Sequence, residues 1–279
     1  TGDINWSSGV GGLSSLANLT ASGAAVTANG KTTVDGIISL SGSDNVTINA
    51  DVDPTSVTLS SADDIDVNAS VTADDVITVN AGTDGTGSVR INPGGTIETT
   101  AANSDIALTA GGAAGDISLA GNLTAVDEIT VTATAGSISQ TAGSISGTTL
   151  DLDAANGIDD GAGGALRTSV VSITADNSGA DDVNMENTQP LDTGIVSLTT
   201  RGGDITFAHS GGGDLTVAGT VSSGIDPGTD GGDIQISSAN QLTVDGLTDS
   251  RSGSGGVLNV AGGVVLNVAP ELGAGDISL

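Results

Sequence analysis

Acidic doublets are the residues of this sequence best suited to binding an ion. They lie at Asp63–Asp64, Asp74–Asp75, Asp127–Glu128, Asp159–Asp160 and Asp181–Asp182. Because Ca²⁺ takes about six to eight oxygen ligands, doublets that folding brings together would form an optional calcium site, and no other cofactor is required. We expect its ligands to come from Asp63, Asp64, Asp74, Asp75, Asp181 and Asp182. The sequence favours the alternative, a hydrated acidic surface, because it has neither an EF-hand loop nor a GGxGxDxU repeat.

Residues that could support catalysis are scarce. His209 is the only histidine, cysteine is absent, and Trp6 and Phe207 are the only aromatic residues. Nucleophilic catalysis needs a nucleophile, a base and an orienting group close together, and no motif supplies all three. We therefore predict an ordinary loop histidine and a protein that is not an enzyme. Paired carboxylates from distant segments could still meet as in a glycosidase, so a polysaccharide-degrading enzyme is a less favoured alternative. Ice binding ranks last, because the sequence sustains no regular Thr-x-Thr ladder.

The charge balance excludes several kinds of partner. The 279 residues include 34 Asp and Glu against 5 Lys and Arg, which gives a formal net charge of -29. Such a chain is repelled by nucleic acid and by anionic lipid surfaces. No apolar run reaches the roughly 20 residues of a membrane helix. We expect neither nucleic-acid binding nor membrane insertion.

The elements that must position these residues are short strands in a repeat. Alternating triplets such as VTL at 57–59 and IDV at 65–67 predict strands with one buried side, because successive strand residues point to opposite sides. First strands are predicted at Ile38, Val57, Ile77, Ile106, Ile129, Leu150, Val171, Val196, Leu215, Ile234, Leu258 and Ile277. Second strands are predicted at Val46, Ile65, Val89, Ile117, Ile138, Ile158, Val183, Ile205, Val221, Leu242 and Leu266. A third apolar position follows at Val52, Val71, Ile97, Leu123, Ile145, Leu166, Leu191 and Leu247.

Three short strands in each repeat predict a β-solenoid. The repeats are mostly 19–25 residues long, whereas a four-stranded propeller blade needs about 40–45 residues. The expected fold is all-β, a parallel β-helix of about 12 coils with a triangular cross-section. It forms one domain over 1–279, with an irregular first coil or cap at 1–36 and regular repeats with corner-loop insertions at 37–279. Asp or Asn just before a strand, as in the recurring Gly-Asp-Ile, is predicted to cap the corners.

The style of the coils resembles that of a known family. VTLSSADDIDVNASVTADD and GGDITFAHSGGGDLTVAGTV resemble the repeats of filamentous-haemagglutinin-like proteins, which belong to the giant β-strand-repeat adhesins of bacterial surfaces. The resemblance covers roughly 37–279. It implies a right-handed β-helix, an extracellular or cell-surface location and no catalytic motif.

Together, the repeat and the resemblance favour a structural or adhesive role. We expect a rigid β-solenoid segment of a bacterial surface fibre, whose partner is itself through head-to-tail stacking or continuation of a longer chain. The expected assembly ends are Ile4, Trp6, Ile277 and Leu279. The alternative is an adhesin module that binds surface glycans or proteins of host or neighbouring cells through loops 81–88, 208–214 and 224–232, since loops on a rigid scaffold often carry recognition.

Overall fold

The computed structural model describes residues 2–11, 16–113, 115–224, 231–246, 248–249, 258–266 and 277–278, with side chains up to residue 246. All of the regular secondary structure in these ranges is β-strand, numbered β1 to β31 along the chain. None of the described residues forms a helix long and apolar enough to cross a membrane.

The strands pair in parallel and form a β-solenoid of about ten turns, which confirms the predicted fold class and roughly the coil number. Two compact units make up the chain. Unit 1 contains Thr1–Gly136 and Gln140–Gly147, and unit 2 contains Ser137–Ser139 and Thr148–Leu279.

Unit 1 has three columns of stacked strands, which we name faces A, B and C. Face A consists of β2 (Leu19–Gly23), β5 (Ile37–Gly42), β8 (Ser56–Ser61), β11 (Ile77–Ala81), β14 (Ile106–Ala110) and β17 (Glu128–Ala133). Face B consists of β1 (Ile4–Trp6), β3 (Val26–Ala28), β6 (Val46–Ile48), β9 (Ile65–Val67), β12 (Val89–Ile91) and β15 (Ile117–Leu119). Face C consists of β4 (Thr32–Thr33), β7 (Val52–Asp53), β10 (Ser70–Ala73), β13 (Thr96–Thr99), β16 (Asn122–Thr124) and β19 (Ile145–Ser146).

The core of unit 1 is built from columns of identical or similar aliphatic side chains. On face A, each strand places its inward residues directly over those of the strand before, and from β5 onwards the inward aliphatic side chains are at most 2% exposed. One such column contains Ile38, Val57, Ile77, Ile106 and Ile129. β-Branched residues suit this arrangement because they pack well on a pleated surface, and full burial of each contributes about 1.5–3 kcal/mol.

Strands of unit 1 also pair in register before residue 37. Ile4 pairs with Val26 and Val26 with Val46 on face B, and Leu19 pairs with Ile38 on face A. The repeat phase that is hard to see in the first 36 residues of the sequence is therefore present in the strand pairing.

Unit 2 also consists of strands paired in parallel, but the number of strands in each coil changes. Its strands are β18 (Ile138–Gln140, of which Gln140 belongs to unit 1), β20 (Thr149–Ala154), β21 (Ile158–Asp159), β22 (Leu166–Ser169), β23 (Ser172–Asn177), β24 (Val183–Asn187), β25 (Thr193–Thr199), β26 (Ile205–His209), β27 (Leu215–Ser222), β28 (Ile234–Val244), β29 (Thr248–Asp249), β30 (Leu258–Leu266) and β31 (Ile277–Ser278).

One corner of the coil disappears within unit 2 and another is formed. The single strand β24 pairs with both β21 and β22, through Val183 with Ile158 and Met185 with Leu166. The stacked strands β23, β25 and β27 contain bulges that lengthen from one strand to the next. Relative to β23, the extra residue of β25 is Val196, and at the same place β27 has Ala218 and Gly219. After them, β27 pairs with the two separate strands β28 and β29.

This change of corner makes several predicted strand positions wrong. Ile173, rather than Val171, stacks on Leu150. Val196 is 52% exposed because it is a bulge residue, and Ile195 takes the inward place.

The same shift affects the second and third positions. Leu191 is 62% exposed, so it is not a core position. Val221 shares β27 with Leu215 instead of starting a second strand, and Leu242 stacks on Leu215. Leu247 lies outside the described residues.

Candidate functional site

Carboxylate and amide side chains at the corners join each coil to the next. In unit 2, Asp182 Oδ1 accepts a hydrogen bond from the backbone N–H of Asp204 at 2.8 Å, and Asp204 Oδ1 accepts one from Asp233 at 2.7 Å. In unit 1, Asn45 Oδ1 accepts from Asp64 N–H at 3.2 Å, and Asp64 Oδ1 from Ser88 N–H at 2.8 Å. The same pattern joins Asn18 to Ile37, Asp105 to Glu128, Asn122 to Ser144, Asp192 to Asp214 and Asp214 to Gln241.

These bonds explain why Asp or Asn recurs before the strands. The N–H at the start of a strand would otherwise lack a partner, and an ionised acceptor makes a short, strong hydrogen bond. The predicted cap therefore exists, but each side chain caps the following coil rather than its own.

The six predicted calcium ligands lie at such corners and are used in different ways. Asp64 and Asp182 accept backbone N–H groups as described, and Asp74 Oδ1 accepts the Thr100 hydroxyl at 3.1 Å. The side chains of Asp63, Asp75 and Asp181 have no hydrogen-bond partner in the described part of the chain. Among the described residues, no three His, Cys, Asp or Glu side chains come together as a group that could hold a metal ion. Calcium binding stays a prediction.

An ion pair on face B holds one of these carboxylates. Arg90 Nη1 lies 2.7 Å from Asp64 Oδ2 and 3.6 Å from Asp66 Oδ1, with side chains that are 40%, 33% and 30% exposed. Partial burial acts to raise the pKa of Asp64, but the hydrogen bonds from Arg90 and from Ser88 N–H, with the charge of Arg90, outweigh it. The pKa of Asp64 is lowered as a result.

We expect Arg90→Gln to lower the stability of unit 1 in a pH-dependent way. Because the folded pKa of Asp64 is depressed, its contribution is complete above the ordinary carboxylate range near about 4 and is lost as the pH falls through the folded value. The loss should be at most about 1 kcal/mol at pH 7, since the pair is substantially exposed, and should be smaller in acid, where the carboxyl takes up its proton. Urea unfolding followed by Trp6 fluorescence at pH 7 and pH 2 measures it, and a pH-independent loss would contradict it.

Two carboxylates face each other on unit 2. Asp153 and Asp176 are opposite each other on β20 and β23, and the hydroxyls of Ser197 and Thr199 donate to Asp176 Oδ1 at 2.7 and 2.8 Å. Desolvation, followed by the charge of Asp176, raises the pKa of Asp153.

Asp153→Asn should therefore stabilise unit 2 at neutral pH. A raised folded pKa means that the native state binds the proton more tightly, so the penalty appears as the pH rises through the folded value and is absent in acid. Like charges opposite each other on a sheet cost about 0.2–1 kcal/mol, and the exposure of Asp153 places the gain at the lower end. Thermal unfolding at pH 7 and pH 3 tests this, with Asp151→Asn as a neighbouring control. An equal gain at both pH values would contradict it.

An asparagine ladder, whose members are not identifiable from residue type alone, runs along unit 1. Each side-chain amide donates to the side-chain oxygen of the coil before it, at 2.7–2.8 Å, in the order Asn92, Asn68, Asn49, Asn29 and Asn5. The sequence contained a signal for it. From the second coil onwards, each Asn directly follows the last inward residue of a face B strand, as in Ala28–Asn29 and Ile48–Asn49.

The prediction that His209 is a loop residue is wrong. His209 is the last inward residue of β26. It is 2% exposed, and neither ring nitrogen has a hydrogen-bond partner in the described structure. Asn187 and Ser238 are its neighbours on the adjoining strands. No second histidine, and no cysteine, exists in the sequence to join it in a metal pair.

The predicted assembly ends are only partly described. Ile4 and Trp6 lie in β1 with half-buried side chains, and the indole N–H of Trp6 donates to Thr32 Oγ1 at 3.0 Å. Ile277 pairs with Leu258, and Leu279 lies outside the described residues.

The surface of unit 1 has two small cavities that share Lys31. One, of about 180 Å³, is lined by Lys31, Asp51, Val52, Asp53, Ser70 and Thr72. The other, of about 260 Å³, is lined by Gly9, Val10, Gly11, Lys31 and Thr33. Neither contains an aromatic residue on which a sugar ring could stack.

Of the loops predicted to bind partners, two are described in full. Loop 81–88 leaves the coil at Gly82 and forms an antiparallel bridge between Thr86 and Gly112. Segment 208–214 does not project, because 208–209 belong to β26 and Gly211 lies so close to the preceding coil that a Cβ there would clash with Gln189 O. Loop 224–232 is mostly outside the described residues.

Comparisons with known proteins do not assign the chain to a family. No protein-family model matches the chain, and neither a curated protein nor a solved structure is significantly similar to it.

Proposed function

We propose that the chain is a rigid β-solenoid segment of an extracellular fibre on a bacterial surface. The observation that carries the proposal is that most of the side-chain hydrogen bonds in the described part of the chain join consecutive coils. The corner bonds and the asparagine ladder connect residues 19–29 positions apart, above aliphatic columns that are almost fully buried.

Such a structure resists bending and pulling because many weak interactions join each coil to the next, and this is repeated along the chain. Each coil contributes strand hydrogen bonds, a layer of buried aliphatic side chains and corner bonds to its neighbour, so stability adds up along the repeat. The acidic exterior keeps the segment hydrated and separated from other chains.

Single-molecule pulling of the chain between two marker domains tests the mechanical role. We expect stepwise unfolding at forces at least equal to those of the markers, and lower force for Asn49→Ala, which removes two ladder bonds. Thr47→Ala, an outward change two residues away, is the matched control. Extension without a force peak would contradict the proposal.

The proposed self-association is tested separately. If copies stack head to tail, purified protein should form fibres in negative-stain electron microscopy, and Ile277→Asp should abolish them while Thr47→Asp does not. Fibres that persist in Ile277→Asp would overturn stacking through that end, and discrete particles throughout would favour a segment of a longer chain.

A second candidate function is adhesion through loop 81–88. The observation in its favour is that residues 83–86 are all exposed and that the loop is braced by the bridge to Gly112. Replacing 83–86 by Gly-Gly should leave the fold intact and reduce adherence to glycan arrays or cell surfaces. Unchanged adherence would exclude this loop.

A further inference from the structure

Face A of unit 1 carries an array of hydroxyl groups that only the strand register reveals. The outward residues form six rows of two, which we name the hydroxyl array: Thr20 and Ser22, Ser39 and Ser41, Thr58 and Ser60, Thr78 and Asn80, Ala107 and Thr109, Thr130 and Thr132. Ten of the twelve are Ser or Thr, none is charged and none is buried.

The absence of charge separates the array from the other outward surfaces described. Face B presents Asp66 and Arg90, and face C presents Asp53 and Glu98. In unit 2, β20 and β23 present Asp151, Asp153 and Asp176. Carboxylates also border the array, because the outermost column of face A contains Ile37, Ser56, Val76, Asp105 and Glu128.

None of the ten hydroxyls makes a side-chain hydrogen bond within the described part of the chain. Hydroxyls on face C behave differently, since Ser70 bonds to Thr72 and to Thr96 at 3.1 Å. A free hydroxyl has one donor and two acceptor sites, which is nearly the hydrogen-bonding capacity of a water molecule. The array therefore presents water-like groups in fixed positions.

Strand geometry sets the repeat distances of the array. Neighbouring strands lie about 4.8 Å apart, and alternate residues of one strand lie about 6.6–6.8 Å apart. The surface of hexagonal ice also presents water molecules that repeat in two directions, and the shorter of its repeats is close to the strand spacing. A partner that matches the array must be uncharged, periodic in two directions and able to donate and accept hydrogen bonds.

We propose that the hydroxyl array is a binding surface for ice. A neutral polysaccharide fits less well because the array has no aromatic ring on which sugars stack, and a second copy of the chain would bring the carboxylate borders together. The inference rests on the strand register and is independent of the proposed structural function.

The experiment measures how much purified protein enters a slowly growing ice front, together with thermal hysteresis. We expect the unmodified chain to be enriched in the ice and Thr58→Asp/Thr78→Asp to be enriched at least tenfold less. The control is Thr27→Asp/Thr47→Asp, which places two carboxylates on adjacent strands of face B and should leave incorporation unchanged. Thr58→Val/Thr78→Val removes the hydroxyls without adding charge and should also reduce incorporation.

Circular dichroism and thermal unfolding show whether each variant is folded. Exclusion of the unmodified chain from ice would overturn the proposal, as would equal losses in the face A and face B variants. Binding to crystalline cellulose or chitin, or dimerisation, that is sensitive to Thr58→Asp/Thr78→Asp in the absence of ice incorporation would assign the array to that partner instead.

Discussion

Leu108→Ala is expected to lower the free energy of unfolding of unit 1 by about 2–5 kcal/mol. Leu108 is fully buried on β14, between Val79 of β11 and Val131 of β17. Truncation removes apolar contact with both coils and leaves a cavity, because backbone hydrogen bonds hold the neighbouring strands at a fixed spacing and prevent them from closing it.

Thr109→Ala is the matched control, since it changes the next residue of the same strand on the outward side. It should alter stability by at most about 0.5 kcal/mol. Urea unfolding by circular dichroism gives the global effect, and amide hydrogen exchange of β11, β14 and β17 gives the local one. Equal losses in the two variants would contradict a solenoid core on this side of β14.

Asn187→Ala should destabilise unit 2 by about 1–3 kcal/mol, even though it removes a polar residue. Asn187 is fully buried, and its amide donates to Val170 O and Thr193 Oγ1, both at 2.9 Å. Its oxygen accepts from Val170 N–H at 3.0 Å and from Thr168 Oγ1 at 3.1 Å. Removing it leaves the buried Val170 N–H without its acceptor, which costs about 1–3 kcal/mol, while Val170 O keeps the Thr193 hydroxyl at 3.3 Å.

Asn184 provides an internal comparison three residues earlier on the same strand. It is directed outward and makes a single bond, from Nδ2 to Gly163 O at 2.9 Å, so Asn184→Ala should cost about 1 kcal/mol or less. Hydrogen exchange at Val170 N–H distinguishes the two, because only Asn187→Ala should make it exchange faster. A loss in Asn184→Ala as large as that in Asn187→Ala would contradict this account.

The strands of unit 1 could be predicted from sequence because apolar alternation and stacking agree there. Ile38, Val57, Ile77, Ile106 and Ile129 were each recognisable as the start of an alternating triplet, and they stack on one another. Insertions between coils change the spacing but not the inward side of each strand.

Unit 2 could be predicted only in part because its corner moves. A single extra residue such as Val196 reverses the inward and outward sides of everything that follows in its strand, and a sequence does not show where a bulge begins. Val171 and Val196 satisfy the same local pattern as the correct residues Ile173 and Ile195, and only pairing with β20 and β23 decides between them.

The polar features were less predictable than the core. Corner Asp and Asn residues could be identified by type, but their partner lies a whole coil later in the chain, as for Asp204 and Asp233. The hydroxyl array was hidden for a related reason. Its rows are separated by unequal loops in the sequence, so Thr78 and Ala107 become neighbours only after folding.

The corner bonds all have the same direction, and this makes few demands on the sequence of the coil that follows. In the bonds described, the earlier coil supplies the acceptor and the later coil supplies only a backbone N–H, which every residue except proline possesses. Any coil that carries Asp or Asn at its corner can therefore make this bond to the next coil, whatever non-proline residue donates the N–H. Duplication or loss of whole coils would preserve these corner bonds, so chains of this kind can change length during evolution without new residues at their corners.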